Sequence, residues 1–149
     1  VLRTIKRTGD DSFRINLRTD ERDMIRSLIP QLRSLIDGRD PVAWRLFPNA
    51  YQHDPEKAAQ YEDMVGSDLR RKRLRALETL ESTVDEQTLT EAQLLAWMGA
   101  INDLRLVLGT RLDVDEESEY DDFTDETDRA LFAAYMVLGW LMENIVTAL

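Results

Sequence analysis

The chain has 149 residues, 43% of them hydrophobic and 32% charged, and its 29 acids and 19 bases give a formal net charge of −10. That length and composition suit one globular domain with one core, and the acidic total argues against a general nucleic-acid binder, which phosphate would repel. Cysteine is absent, so disulfides, thiolate metal sites, cysteine nucleophiles and thiol redox switching are excluded.

The total hides an asymmetry. Residues 1–75 hold 16 bases and 12 acids (+4), whereas residues 76–149 hold 3 bases and 17 acids (−14). Such a distribution can steer association with a charged partner or orient self-association. The apolar stretches read as broken before the ~20 residues a membrane span needs, the nearest, Ala130 to Trp140, lying between Arg129 and Glu143. The N-terminal Val-Leu-Arg-Thr-Ile-Lys-Arg lacks the apolar core of a secretory signal. A cytoplasmic protein without a membrane is the expectation.

In chain order, Phe13, Ile15 and Leu17 alternate with period two, and Thr8-Gly9-Asp10-Asp11 is a turn cluster, which predicts a small β-hairpin within residues 1–18. Its Arg14, Asn16 and Arg18 would face water or a partner. From Asp20 the period becomes helical through Met24, Ile25, Leu28, Ile29, Leu32, Leu35 and Ile36. Pro30 inside this run predicts a kink or a shortened helix, and Asp37-Gly38 its end. A turn at Pro41–Phe47 and a loop lead to Pro55, which opens a second helical stretch. Ser67 or Asp68 can cap a third, carrying Leu69, Leu74, Leu77 and Leu80 and ending near Val84-Asp85. Thr90 to Gln93 is a capping box ahead of the clearest helical stripe, Leu94, Trp97, Met98, Ile101, Leu104, Leu108 and Leu112. Residues 113–128 hold 10 acids and no base. Thr124 or Asp125 then caps a last helix, apolar on more than one side and therefore expected to be central. Trp97 and Trp140 are both expected in the core. The prediction is a mostly α fold: one domain, 1–149, with a hairpin at 1–18, helices over 20–112, an acidic connection at 113–124 and a core helix at 125–149, four to five helices in all.

Arg70, Arg71, Lys72, Arg73 and Arg75 form the one concentrated basic run. Arginine there could hold phosphate or an acidic protein surface. Five bases in six helical residues nevertheless spread around most of the circumference, and some can pair with Glu78 or Glu81. The acidic stretch from Asp113 has alternating oxygen ligands but places Ser118 and Thr124 where a calcium loop needs Gly and Glu. It reads instead as a flexible, self-repelling connection, or an arm that docks on a basic surface with Tyr120 and Phe123 as apolar grip. His53 is the single histidine, and neither a nucleophile elbow nor a Gly-rich phosphate loop is present. No catalytic residue, metal ligand or cofactor is therefore assigned. Asn102, Asp103, Arg105, Gly109 and Arg111 form a polar cluster beside core positions. It reads either as ion pairs closing the bundle, with Gly109 allowing close packing, or as a groove that receives a partner.

Arg45-Leu-Phe-Pro-Asn-Ala-Tyr51, His53-Asp-Pro-Glu56, Ala100-Ile-Asn-Asp-Leu-Arg-Leu-Val-Leu-Gly-Thr-Arg-Leu112 and Trp140-Leu-Met-Glu-Asn-Ile-Val146 occur in that order. Together they resemble a domain-of-unknown-function family of actinobacteria. The resemblance implies a regulatory role through protein contacts, with transcription machinery as a candidate partner. Family members are often labelled transcriptional regulators, include an actinobacterial oxidative stress regulator, and lie near a gene for a ClpS-type adaptor. It carries no catalytic residues, and Asn102, Asp103, Arg105, Gly109 and Arg111 match its pattern. Thiol sensing does not transfer to a chain without cysteine.

The resulting expectation is a non-enzymatic cytoplasmic regulator in transcription or stress response, acting through protein–protein contacts. A homodimer through the open strand edge of the hairpin is expected as well. The alternatives are a DNA-binding regulator using Arg70–Arg75 and the Arg-bearing hairpin, and an enzyme or small-molecule binder.

Overall fold

A computed structural model describes residues 4–37, 56, 60 and 67–149. The turn at Pro41–Phe47, Gly38, His53 and most of the helical stretch after Pro55 lie outside the described residues.

Strands β1 (Ile5–Gly9) and β2 (Ser12–Ile15) pair antiparallel around a turn at Asp10-Asp11, shorter than the 1–18 expected but in the predicted place. Ile5 faces Ile15 and Arg7 faces Phe13 on one side, and Lys6 faces Arg14 on the other. Alternation of side chains makes the first face the buried one: Ile5, Phe13 and Ile15 are all in the core. A third strand, β3 (Thr88–Leu89), pairs antiparallel with β2, Phe13 opposite Leu89 and Arg14 opposite Thr88. The sequence did not announce it, because two residues carry no readable period.

Helix α1 (Thr19–Asp37) buries Ile25, Leu28, Ile29, Leu32, Leu35 and Ile36. It continues through Pro30 to Asp37, so the helix is not shortened there. Pro30 is exposed, and so is Arg26, whose carbonyl loses its partner, so water can serve the freed oxygen. Arg22, one turn into α1, is itself buried and has no carboxylate partner among the described residues. Its guanidinium donates to the carbonyls of Val84 (2.5 Å), Glu86 (2.9 Å), Ile15 (2.9 Å) and Leu17 (3.4 Å), joining α1 to the sheet and to the end of the next helix.

Helix α2 (Ser67–Thr83) buries Leu77 and Leu80. Helix α3 (Glu91–Leu112) starts at the predicted capping box: the Gln93 amide donates to Thr90 Oγ1 (3.2 Å) and the Thr90 amide to Gln93 Oε1 (3.0 Å). Leu89 and Leu94, at the two staple positions flanking that box, are both buried. Asp11 in the hairpin turn accepts the Glu91 amide at 2.8 Å, so the hairpin also caps α3. Trp97 is fully buried, and its indole N–H donates to Thr83 Oγ1 at 2.7 Å.

The acidic stretch is folded into turns rather than extended. Asp113 closes α3 in the left-handed region (φ 53°, ψ 46°). Asp115 accepts from the Glu117 amide, Asp122 from the Glu119 amide, and Asp125 from the Thr127 and Asp128 amides as the N-cap of helix α4 (Glu126–Ala148). A short 3-10 turn spans Tyr120–Asp122. Tyr120 and Phe123 grip their own chain: the Arg129 guanidinium lies 5.5 Å over the Tyr120 ring, and Phe123 packs 4.9 Å from Phe132.

Helix α4 packs along α3 and touches β1. It buries Phe132, Ala134, Leu138, Leu141 and Ile145. It is not central, and Trp140 is not core: Met136 is 57%, Trp140 44% and Val146 61% exposed. The apolar second side of α4 has no described element against it. By length and composition α4 also meets the measure of a membrane-crossing helix, with mean hydropathy 1.4. Arg129 and Glu143 therefore do not interrupt the apolar run as early as expected, although a bundle helix satisfies the same measure.

Among the described residues the fold is thus mostly helical, with four long helices and a small N-terminal antiparallel hairpin extended by β3.

Candidate functional site

Two segments singled out in the sequence, 70–75 and 102–111, meet between α2 and α3. Arg73 and Asp103 stand 30 positions apart in sequence, and Arg73 Nη1 donates to Asp103 Oδ1 at 2.5 Å. The Asp103 side chain is 3% exposed. Burial pushes its carboxyl above the ordinary carboxylate value, and the charge and hydrogen bond of Arg73 pull against that rise. This pair floors a recess of about 220 Å³, with Leu69, Lys72 and Ala76 along its α2 side and Gly99 and Asn102 along its α3 side. Nothing lies within 4 Å of where a Gly99 Cβ would stand, so this glycine leaves open space rather than enabling a close contact.

The basic run is divided, as helical geometry dictates. Arg73 turns inward to Asp103, Arg70 is half-buried, and Arg71, Lys72 and Arg75 are exposed. Arg71 pairs with Asp68 at 3.1 Å rather than with Glu78 or Glu81, and Glu81 is held by Arg33 at 2.7 Å. Lys72 and Arg75 have no acidic partner among the described residues, and Lys72 stands on the rim of the recess.

The polar cluster on α3 is divided too. Residues two apart on a helix point about 200° from each other, so Asp103 faces α2 while Arg105 faces α4. The expected ion pairs of Asp103 with Arg105 or Arg111 are therefore absent. Arg105 instead stacks 4.8 Å over the Tyr135 ring, its Nε buried without a hydrogen-bond partner. Gly139 makes this fit possible, since a Cβ there would come within 3.0 Å of Arg105 Nε. Gly109 has the packing role expected of it: a Cβ would sit 3.2 Å from the Tyr135 ring. Asn102 is exposed at the recess and Arg111 is exposed at the far end of α3. The motif thus serves the packing of α3 against both α2 and α4, and only Asn102 and Asp103 reach the recess. Gly99 completes that surface, and Leu95, 46% exposed, lies one helical turn before it. Gly99 and Leu95 lie off the helical stripe read from the sequence, so nothing in that pattern pointed to them.

Among the described residues no group of three or more His, Asp or Glu is placed to hold a metal ion.

A family model described as a domain of unknown function (DUF2017) matches residues 2–149, nearly the whole chain. No curated protein and no solved structure matches.

Proposed function

The chain belongs to the DUF2017 family, and from the surface this domain builds we propose a non-enzymatic regulatory protein that acts by binding another protein across the α2–α3 recess. One observation carries the reading. A preformed notch over Gly99, floored by the Arg73–Asp103 pair, is rimmed by Asn102 and by Lys72, which has no acidic partner among the described residues, with exposed Leu95 one turn away. A recess with apolar walls at Leu69 and Ala76, a paired charge at its floor and a polar rim can seat a protein side chain, and Lys72 and Arg75 favour an acidic partner. The sequence resemblance supports placing the role in cytoplasmic transcription or stress response, with transcription machinery as the partner class. DNA binding through Arg70–Arg75 and the Arg-bearing hairpin together is the weaker reading, because Arg71, Arg73 and Arg18 are already engaged by Asp68, Asp103 and Asp20. A homodimer through β1 is also a lesser proposal: Lys6 and the register shift between Arg7 and Gly9 are features that blunt strand edges.

Gly99→Trp tests the proposal directly. The position has room for a side chain, so the variant should fold and melt as the parent does while losing the partners that the parent captures from its native cytoplasm. Undiminished capture of the same partners by Gly99→Trp would overturn it.

A further inference from the structure

On a different face, we propose that the protein binds single-stranded nucleic acid along a surface running from Trp140 past Asn16 to Arg14, with Lys6 opposite Arg14 on the sheet and Trp140 as the stacking platform. Trp140 stands between two recesses. One, of about 520 Å³, is lined by Thr4, Asn16, Arg18 and Glu21, and the other, of about 290 Å³, by Glu143, Asn144 and Thr147. Asn16 also lines a third recess of about 650 Å³, which holds Arg14, Gln87 and Thr88. The first and third thus share Asn16 at the end of β2.

Lys6 and Arg14 lie directly opposite each other on the outer face of the sheet. Like charges so placed repel, and neither has an acidic partner among the described residues. An external anion would relieve that repulsion. An exposed aromatic face, unpaired cations and a row of amide and hydroxyl groups are the combination that stacks bases and holds phosphates in single strands. A duplex hides its base faces and cannot stack on Trp140.

The net charge of −10 does not forbid this. Arg7 in β1 lies 3.8 Å from Glu91, at the start of α3, and donates to the Leu149 carbonyl, just past the end of α4. The acidic stretch joins the opposite ends of those two helices. A 22-residue helix separates them by about 33 Å, against a screening length of about 8 Å at physiological salt. Along that surface, Glu21 shares Arg18 with Asp20, and Asp85 shares Arg26 with Asp23. Glu143 has no ion pair among the described residues and sits on the far side of Trp140, so the strand runs toward Arg14.

The test is fluorescence anisotropy of a labelled oligothymidine of about 12 nucleotides, within the range such surfaces cover, titrated with the full chain at low salt. Binding should weaken about tenfold or more in Trp140→Leu and be retained in Trp140→Tyr. Lys6→Glu with Arg14→Glu should weaken it about tenfold and flatten its salt dependence, and Glu143→Gln should tighten it. All four positions are exposed, so thermal melts will show the variants folded. Absent binding would overturn the proposal. So would binding indifferent to Trp140→Leu, equal binding of a duplex of matched length, or displacement of the oligonucleotide by polyglutamate at equal charge.

Discussion

Asp103 sets the electrostatic character of the recess, and its environment has a readable sign. Its folded carboxyl titrates above the ordinary value of 3.8 because burial disfavours the anion. The native state therefore holds this proton to higher pH than the unfolded chain does. The group favours folding most below the ordinary value, and that contribution fades as pH climbs through the raised one. Asp103→Asn removes the titration but keeps an oxygen for Arg73. In urea unfolding at a series of pH values, the parent's advantage over the variant should be largest below the ordinary value of 3.8 and shrink as pH climbs above it. A second residue-scale case is Thr83, whose hydroxyl accepts from Trp97 and donates to the Thr79 carbonyl at 2.6 Å. Thr83→Val leaves a buried indole N–H without a partner, and chemical denaturation should show a loss of about 1–3 kcal/mol.

At the scale of elements, the end of α3 is an informative boundary. Asp113 adopts a left-handed conformation that costs an L side chain about 1–2 kcal/mol. Part of that is offset because glycine loses more chain entropy on folding. Asp113→Gly should therefore raise stability by a net of about 0.5–1 kcal/mol, visible as a thermal midpoint a few degrees higher. The helices, the hairpin and both caps on α3 and α4 were legible because each rests on spacing within a few residues. Three features were not. β3 is two residues long and is ordered by β2 rather than by its own pattern. The Arg73–Asp103 pair joins positions whose proximity depends on how α2 docks on α3. Trp140 occupies an apolar helical position like Trp97, and local spacing cannot say whether a neighbour lies opposite. The candidate site was half visible: its charged residues stood out, while Gly99, which shapes it, carries no chemical signal.

For the whole molecule, the charge asymmetry along the chain becomes a separation in space. The turns at 113–125 gather acids at one end of the α3–α4 pair, and the sheet presents Lys6 and Arg14 at the other. Arginine 22 has a different consequence at this scale, one that concerns the order of assembly. It holds carbonyls at Ile15 and Leu17 together with carbonyls at Val84 and Glu86, about 60 to 70 positions later in the chain. The β1–β2 hairpin closes locally, whereas β3 can be secured only after α2 has docked and delivered its end to this guanidinium. Native-state hydrogen exchange can separate the two events. The Ile15 amide bonds Gln87 across the late junction at 2.8 Å, and the Asn16 amide bonds Thr4 within the hairpin at 2.7 Å. In Arg22→Met, losing about 3 kcal/mol of buried hydrogen bonding should speed exchange at Ile15 by about a hundredfold while Asn16 changes much less. The sheet would then come apart from its third strand first, making the junction at residues 84–89 the earliest point of opening in the fold.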